Sequence, residues 1–421
     1  LFFGYYYLKR KKKLQNKNKK QYENMKMSSI IKLSSDIEND EYTEYVYNVF
    51  DIQNREKTEV EISFNLEEAK TFDWNVGVIY GSSGSGKTSI LKKLGELDQS
   101  NFDPNKPLIS NFDWLEPKDA TMLLTSMGLS SVPTWLRPFR LLSNGEQYRA
   151  EVAYKVGRID EGETVLIDEY TSVVDRDVAK AMSFSLQKYA RRTNKRIILA
   201  SCHYDIMEWL MPDWTCSPQK AGGVLERGEW LRQGRPNIEL QVSRVEHGAW
   251  DLFKKHHYLT EDVSKSCKFF LFTWNDKPIG INVVIAQPSG HFKNGVRESR
   301  IVVLPDFQGL GLGTKISNFT ASMYKDNGYR YFTKTVHPAI GEYRNRNKED
   351  WRGTSKNGKS PKAQNAMGGM KSWNVMLRSS YCHEYIGDGI SGYTKLLLPI
   401  KEMRENKLKI IQETDNLIEI N

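Results

Sequence analysis

The run Gly81-Ser82-Ser83-Gly84-Ser85-Gly86-Lys87-Thr88 constrains this chain more than any other stretch. Ahead of it, Val76-Gly77-Val78-Ile79-Tyr80 reads as a buried strand, and behind it Ser89-Ile90-Leu91-Lys92-Lys93-Leu94 opens a helix. A glycine-rich turn between a strand and a helix start aims successive backbone N–H groups, and the positive end of the helix, at anionic oxygens. Gly81, Ser82, Gly84, Ser85, Gly86 and Ser89 would form that cradle. Lys87 would reach β and γ phosphates and Thr88 would ligate Mg²⁺, so ATP is the expected ligand.

The segments downstream keep a fixed order. Leu142-Ser143-Asn144-Gly145-Glu146-Gln147 starts a helix that runs on through Ala150, Ala153 and Val156, with Ser143 and Glu146 spaced as a capping box. Thr164-Val165-Leu166-Ile167 is a short apolar strand ending in Asp168-Glu169, and Ser172-Val173-Val174-Asp175 follows it. Ile197-Ile198-Leu199-Ala200-Ser201-Cys202-His203 is another buried strand, ending in a histidine. In this order the segments resemble the signature, Walker B, D-loop and switch histidine of ABC-type ATPases. The signature here has Asn144 at its third position and Glu146 inserted before Gln147.

That resemblance implies roles. Asp168 would hold Mg²⁺ through water, Glu169 would orient or deprotonate the attacking water, and Asp175 and His203 would belong to the nucleotide site. Ser143 and Gly145 would meet the γ-phosphate of a nucleotide held by a second copy, so an ATP-dependent homodimer is expected. Two departures matter. No glutamine lies between Asn101 and Leu142, so Asn111 or Asp113 would replace the family's Q-loop residue. The span from Lys87 to Ser143 is also too short for the subdomain that couples transporter ATPases to membrane helices, which argues against transport.

A second, unrelated pattern begins at Arg297. Ser299 to Leu304 reads as a strand, Pro305-Asp306-Phe307-Gln308-Gly309-Leu310-Gly311-Leu312-Gly313 as a turn, and Ile316, Phe319 and Met323 mark one face of a helix. A further strand, Tyr331 to Val336, follows. This resembles motif A of GNAT acetyltransferases, in which backbone N–H groups at a helix start wrap the pyrophosphate of acetyl-CoA. Leu304, Gln308, Gly309, Gly311 and Gly313 would then bind acetyl-CoA. Glu298 and His337, each beside one of these strands, are the candidate bases, with His256 and His257 as others and Tyr343 as a possible acid.

The order of the two patterns is similar to a family of ABC-type ATPases fused to a predicted acetyltransferase domain, over roughly residues 60 to 400. His256-His257-Tyr258-Leu259 also resembles the Mom-type branch of the GNAT superfamily, which modifies adenine in phage DNA. The expected fold is α/β in both halves: an ABC-type ATPase domain over 42–225, then a GNAT-like domain over 236–400. Residues 401–421 would be a tail, helical or frayed.

Net charge is +9, yet residues 1–28 set Lys9, Arg10, Lys11, Lys12, Lys13 and four further lysines against Glu23 alone. Residues 1–41 are therefore expected to be a basic, disordered leader or a nucleic-acid arm, with Met25 or Met27 a possible true start. Between Gly341 and Ser380, Arg344, Arg346, Lys348, Arg352 and further cations interleave with Trp351 and Trp373. Basic loops with aromatics suit phosphate backbones and exposed bases, whereas ordinary surface charge would look the same. A nucleic-acid acceptor, DNA before RNA, is the expectation. Cys202, Cys216, Cys267 and Cys382 form no Cys-x-x-Cys pair, which fits a reduced, cytoplasmic protein without structural zinc. The alternatives are a repair-type ATPase whose GNAT-like half only binds, or a Mom-like base modifier.

Overall fold

The computed structural model describes residues 25–53, 57–97, 100–228, 230, 234–257, 262–290, 292–359, 380–400 and 417–420. Two compact units emerge, Leu1–Asn101 with Glu151–Arg235, and Phe102–Ala150 with Pro236–Asn421. The segment between the P-loop and the signature helix thus clusters with the C-terminal half of the chain.

The first unit opens with an antiparallel hairpin, β1 (Ser28–Asp36) and β2 (Lys57–Asn65), joined through helix α1 (Glu41–Phe50), which buries no side chain. β1 lies inside the stretch expected to be leader. Its polar positions hid it from a pattern reading, and its nine-pair ladder with β2 is what makes it a strand. After β3 (Val76–Tyr80) comes α2 (Lys87–Leu94). The intervening segment of the second unit holds α3 (Pro117–Ser126), and α4 (Asn144–Arg158) returns the chain to the first. β4 (Thr164–Ile167), α5 (Arg176–Thr193), β5 (Arg196–Ser201), β6 (Trp214–Cys216) and β7 (Leu225–Arg227) complete the unit. Its sheet runs β4-β5-β3-β6-β7, parallel except for β6 with β7. Strands covered on both faces carry unbroken apolar runs, and Val76, Val78, Ile79, Ile197, Ile198 and Leu199 are all fully buried.

The second unit adds β8 (Ile238–Val245), β9 (Lys268–Trp274), β10 (Lys277–Ala286), β11 (Gly295–Val303), α6 (Leu312–Asp326), β12 (Arg330–Thr335), α7 (Pro338–Arg346), β13 (Trp351–Gly353), β14 (Tyr381–Tyr385) and β15 (Leu417–Ile420). Its sheet runs β13-β14-β12-β11-β10-β9-β8-β15 and is antiparallel except between β11 and β12. β8 alternates, with Ile238, Leu240 and Val242 buried and Glu239, Gln241 and Ser243 exposed, the period of a strand covered on one face. β15 corrects the expected helical or frayed tail: it pairs antiparallel with β8, from Leu417 opposite Gln241 to Ile420 opposite Ile238. The rest of 401–421 lies outside the described residues, as do residues 1–24 and 360–379.

Gly77 is required by packing, because a Cβ there would lie 2.0 Å from the Trp214 ring of β6. Gly77→Ala is expected to destabilise the first unit by about 1–3 kcal/mol or more through overpacking. An unchanged thermal melt would show that Trp214 does not lie against β3.

Candidate functional site

Ile79 of β3 pairs with Ala200 of β5, and Ile167 of β4 with Leu199, so the three parallel strands end along one edge. Ligand-binding turns of open parallel sheets gather at such carboxyl ends. The P-loop leaves β3 there with Gly84 and Gly86 in the left-handed region, at φ +77° and +90°. Gly86 caps α2, and a Cβ on it would meet Ile62 of β2 at 2.4 Å, so both conformation and space demand glycine. The Lys87 ammonium donates to the carbonyls of Gly81 at 2.9 Å and Ser82 at 2.7 Å, closing the loop. Ser85 N–H donates to the Ser82 carbonyl, and Thr88 and Ser89 stand in the first turn of α2, whose leading N–H groups have no acceptor within the helix. Gln219 was not singled out in the sequence, yet its Oε1 accepts from Ser82 N–H at 3.0 Å and its Nε2 donates to Ser82 Oγ at 2.9 Å.

Beyond β4, Glu169 and Thr171 hold left-handed backbones at φ +48° and +66° without being glycine. Such conformations cost of order 1–3 kcal/mol each and gather at functional sites. Asp168 Oδ1 accepts from Glu169 N–H at 2.9 Å. Asp175 caps α5, accepting from Asp177 N–H at 2.9 Å. His203 follows β5, where its N–H donates to Ser201 Oγ at 3.1 Å and its Nδ1 stands 3.2 Å from Thr171 Oγ1. Burial first, then the nearby Arg176 guanidinium, pushes His203 below the usual histidine range against the pull of Asp205. Its ring is therefore neutral at pH 7.

In the second unit, the capping box forms as the spacing predicts. Ser143 N–H donates to Glu146 Oε2 at 3.0 Å and Glu146 N–H donates to Ser143 Oγ at 3.3 Å. Thr134 Oγ1 and Arg137 also donate to Glu146. Burial raises this carboxyl's pKa, but the Ser143 N–H, Arg137, Thr134 and the Ser143 hydroxyl outweigh it and hold the group below its ordinary value. Gly145 stands in the first turn of α4. Asn111 does not present a Q-loop amide. Its Oδ1 accepts from Asp103 N–H at 2.8 Å and its Nδ2 donates to the Pro107 carbonyl at 3.2 Å, so the side chain is spent on its own loop, whereas Asp113 is exposed.

The second motif forms where β11 meets α6. Gly309 and Gly311 are left-handed at φ +98° and +79°, Gly311 caps α6, and Gly313 lies in its first turn. Leu304 precedes the short 3₁₀ turn Pro305–Phe307. The parallel ladder between β11 and β12 holds only three pairs, Gly295 with Arg330, Val296 with Tyr331 and Arg297 with Phe332, although β11 continues to Val303 and β12 to Thr335.

Three expected site residues are placed differently. Glu298 is buried: Ser317 Oγ donates to it at 2.6 Å, Tyr331 OH at 3.2 Å and Arg344 at 2.8 Å. The Arg344 guanidinium is 1% exposed and lies 4.6 Å from the centroid of the Trp351 ring. A saturated carboxylate sealed in an ion pair cannot approach an acceptor amine, so Glu298 is a structural group and not a base. Arg344 likewise leaves the basic patch of 341–380. His337 is buried, its Nε2 donating to the Ser130 carbonyl at 3.3 Å and its ring 5.7 Å from that of Trp135. Burial holds it below the usual histidine range, and its place is packing rather than proton transfer. The Gln308 side chain is also engaged, with Oε1 accepting from Ser130 N–H at 2.8 Å and Nε2 donating to the Val303 carbonyl at 2.9 Å. Its contribution to a ligand would come from backbone.

His257 is pushed down to about 4 by burial and Arg300, too low to act as an efficient base near neutrality. Tyr258 lies outside the described residues. Tyr343 on α7 has the better geometry for an acid. Its hydroxyl oxygen accepts from Asn318 Nδ2 at 3.0 Å and Asn347 Nδ2 at 3.1 Å, which leaves its own proton to donate.

Glu298→Gln or Arg344→Met alone is expected to cost about 3–5 kcal/mol, with the double variant costing less than the sum. Urea unfolding checks this. An unchanged transition combined with lost acyl transfer would restore Glu298 as a catalytic group.

Residues 204–346 match the family model described as the acetyltransferase (GNAT) family. No curated protein matches the chain. Among solved structures, a dimeric bacterial ABC transporter cassette is 14% identical, covering 41% of this chain and 91% of its own, at a TM-score of 0.31. An IAA acetyltransferase from Bacillus cereus is 13% identical over 35% of this chain and 99% of its own, at 0.26. A GNAT family acetyltransferase from Elizabethkingia anophelis, solved with acetyl-CoA bound, is 16% identical over 35% and 97%, also at 0.26. Among the described residues no helix is long and apolar enough to cross a membrane. Over residues 204–346, therefore, the chain carries a domain of the GNAT acetyltransferase family.

Proposed function

We propose that this chain is an ABC-class ATPase joined to an acetyl-CoA-dependent N-acetyltransferase whose acceptor amine is on nucleic acid or a molecule bound to it. The observation that carries the transferase reading is the early end of the β11–β12 ladder beside the turn at Gly309 and Gly311. Strands that part leave main-chain N–H and C=O groups able to pair with an extended amide chain, as in strand addition. The pantetheine arm of CoA is such a chain, and the leading N–H groups of α6 suit its pyrophosphate. Acetyl-CoA supplies an acyl group activated as a thioester. As the acceptor nitrogen bonds to the acyl carbon and releases its proton to water, Tyr343 would protonate the departing sulfur, since both hydrogen bonds at its oxygen are accepted ones.

On the nucleotide side, Lys87 and the N–H groups of Gly84 to Ser89 hold the phosphates. Thr88 and Asp168 would hold Mg²⁺, which would offset the negative charge of the phosphates. Glu169 would orient the attacking water, and His203, held at Nδ1 by Thr171, would contact the γ-phosphate. Ser143 and Gly145 complete the site of a second copy, so that two chains enclose two ATP molecules. The support for a nucleic-acid acceptor is the exposed cluster Arg346, Lys348, Lys356 and Lys359, which follows directly on α7.

Incubation with acetyl-labelled acetyl-CoA, DNA, RNA and cellular protein is expected to give macromolecular label removed by nuclease. Label removed by protease instead would make the acceptor a protein, and no label at all would count against transfer. For the ATPase, Glu169→Gln is expected to trap an ATP-dependent dimer detectable by size and light scattering. A variant that hydrolyses ATP at the parental rate and stays monomeric would sink the two-chain arrangement.

A further inference from the structure

The ATPase signature helix and the acyl-CoA turn share one buried cation, within the second unit. Arg149 of α4 is 2% exposed. Its Nε donates to the Gly145 carbonyl at 3.1 Å, and its Nη1 donates to the carbonyls of Gly128 at 3.0 Å and Pro305 at 2.7 Å. Two of these carbonyls lie outside α4. Gly145 is in the first turn of α4 itself, one turn before Arg149, Gly128 follows α3, and Pro305 opens the turn that becomes Gln308 to Gly313. A planar guanidinium spreads its donors over a rigid fork of nitrogens, whereas an ammonium offers three rotatable donors from one atom.

A second strap lies beside the first. Ser130 N–H donates to Gln308 Oε1, while His337 donates to the Ser130 carbonyl. Gly128 itself is left-handed at φ +81°, and a Cβ there would stand 2.9 Å from the Gln308 carbonyl oxygen. The loop from Gly128 to Ser130 is thus clamped against the acyl-CoA turn at both of the turn's early residues. Burial lowers the guanidinium's pKa, while Glu146 and Asp306 favour the charged form. Displacing any of the three carbonyls would leave a buried, charged N–H without its acceptor, so the network transmits displacement rather than absorbing it.

We infer that Arg149 is a positioning residue for the acyl-CoA turn, and that through Gly145 it makes acetyl-CoA binding answer to ATP held against the signature turn. This rests on the proposed function. Phosphate at the start of α4 and pyrophosphate at the start of α6 each restrain one end of the same strap. The ligand bound second then finds its end already held, and the two affinities rise together and by equal factors.

The test is calorimetric titration of full-length Glu169→Gln protein with acetyl-CoA, with and without saturating ATP and Mg²⁺. ATP is expected to lower the acetyl-CoA Kd by roughly fivefold or more, and acetyl-CoA to lower the ATP Kd by the same factor. With Arg149→Gln added, both ligands still bind and the factor falls to about one. An undiminished factor in that variant, or binding of both ligands without any coupling in the parent, overturns the inference and leaves the proposed function standing. Failure of the parent to bind acetyl-CoA at all removes both. Should Arg149→Gln lose its cooperative melt, Arg149→Lys decides instead. It keeps the buried cation without the fork, so a reduced factor supports the inference and the parental factor overturns it.

Discussion

Because β5 pairs parallel with β3 on one side and β4 on the other, the P-loop, the Asp168-Glu169 pair and His203 leave the sheet along a common edge. Register alone brings together residues separated by more than a hundred positions of chain. The local chemistry then needs only small adjustments. Gly84 and Gly86 turn the first loop, Glu169 and Thr171 take left-handed backbones in the second, and Ser201 and Thr171 fix the histidine in the third. The second unit solves a similar problem by the opposite means. There a ladder stops: β11 and β12 pair over three residues only, and β11 runs on unpaired to β12 toward the glycine turn.

What could be read from the sequence was whatever is local or buried on both faces. Residues 76–79 and 197–200 are apolar throughout, and the glycine turns carry their own signatures. The capping box of Ser143 and Glu146 is equally local. What stayed hidden depends on partners distant in sequence. Glu298 looks like an available carboxylate until Ser317, Tyr331 and Arg344 close around it. β1 and β15 are strands because β2 and β8 offer them an edge. Gln219 reaches the P-loop from a turn that no motif marks. Arg149 did leave a trace, since it sits four and seven residues before Ala153 and Val156, both fully buried, on the inner stripe of its helix.

The buried polar groups divide by purpose. Glu298 and Arg344 form an ion pair within the core of the second unit, with the guanidinium over the ring of Trp351. Arg149 has no such counter-ion among its hydrogen-bond partners and reaches backbone carbonyls of its own helix and of two other segments instead. A pair of the first kind fixes a core, whereas a cation of the second kind fixes the relation between loops. Removing a partner from either one leaves a buried charge uncompensated.

The loop at Gly128 to Ser130 also bears on how this gene product can be taken apart. A fragment begun at Pro236 would contain every strand of the eight-stranded sheet and the whole glycine turn, yet would leave behind the Ser130 N–H that meets Gln308 and the guanidinium that meets Pro305. His337 would lose its acceptor in the same cut. The second unit is therefore not severable at a single peptide bond. Its structural boundary is discontinuous, and a part of it is encoded between β3 and β4 of the first.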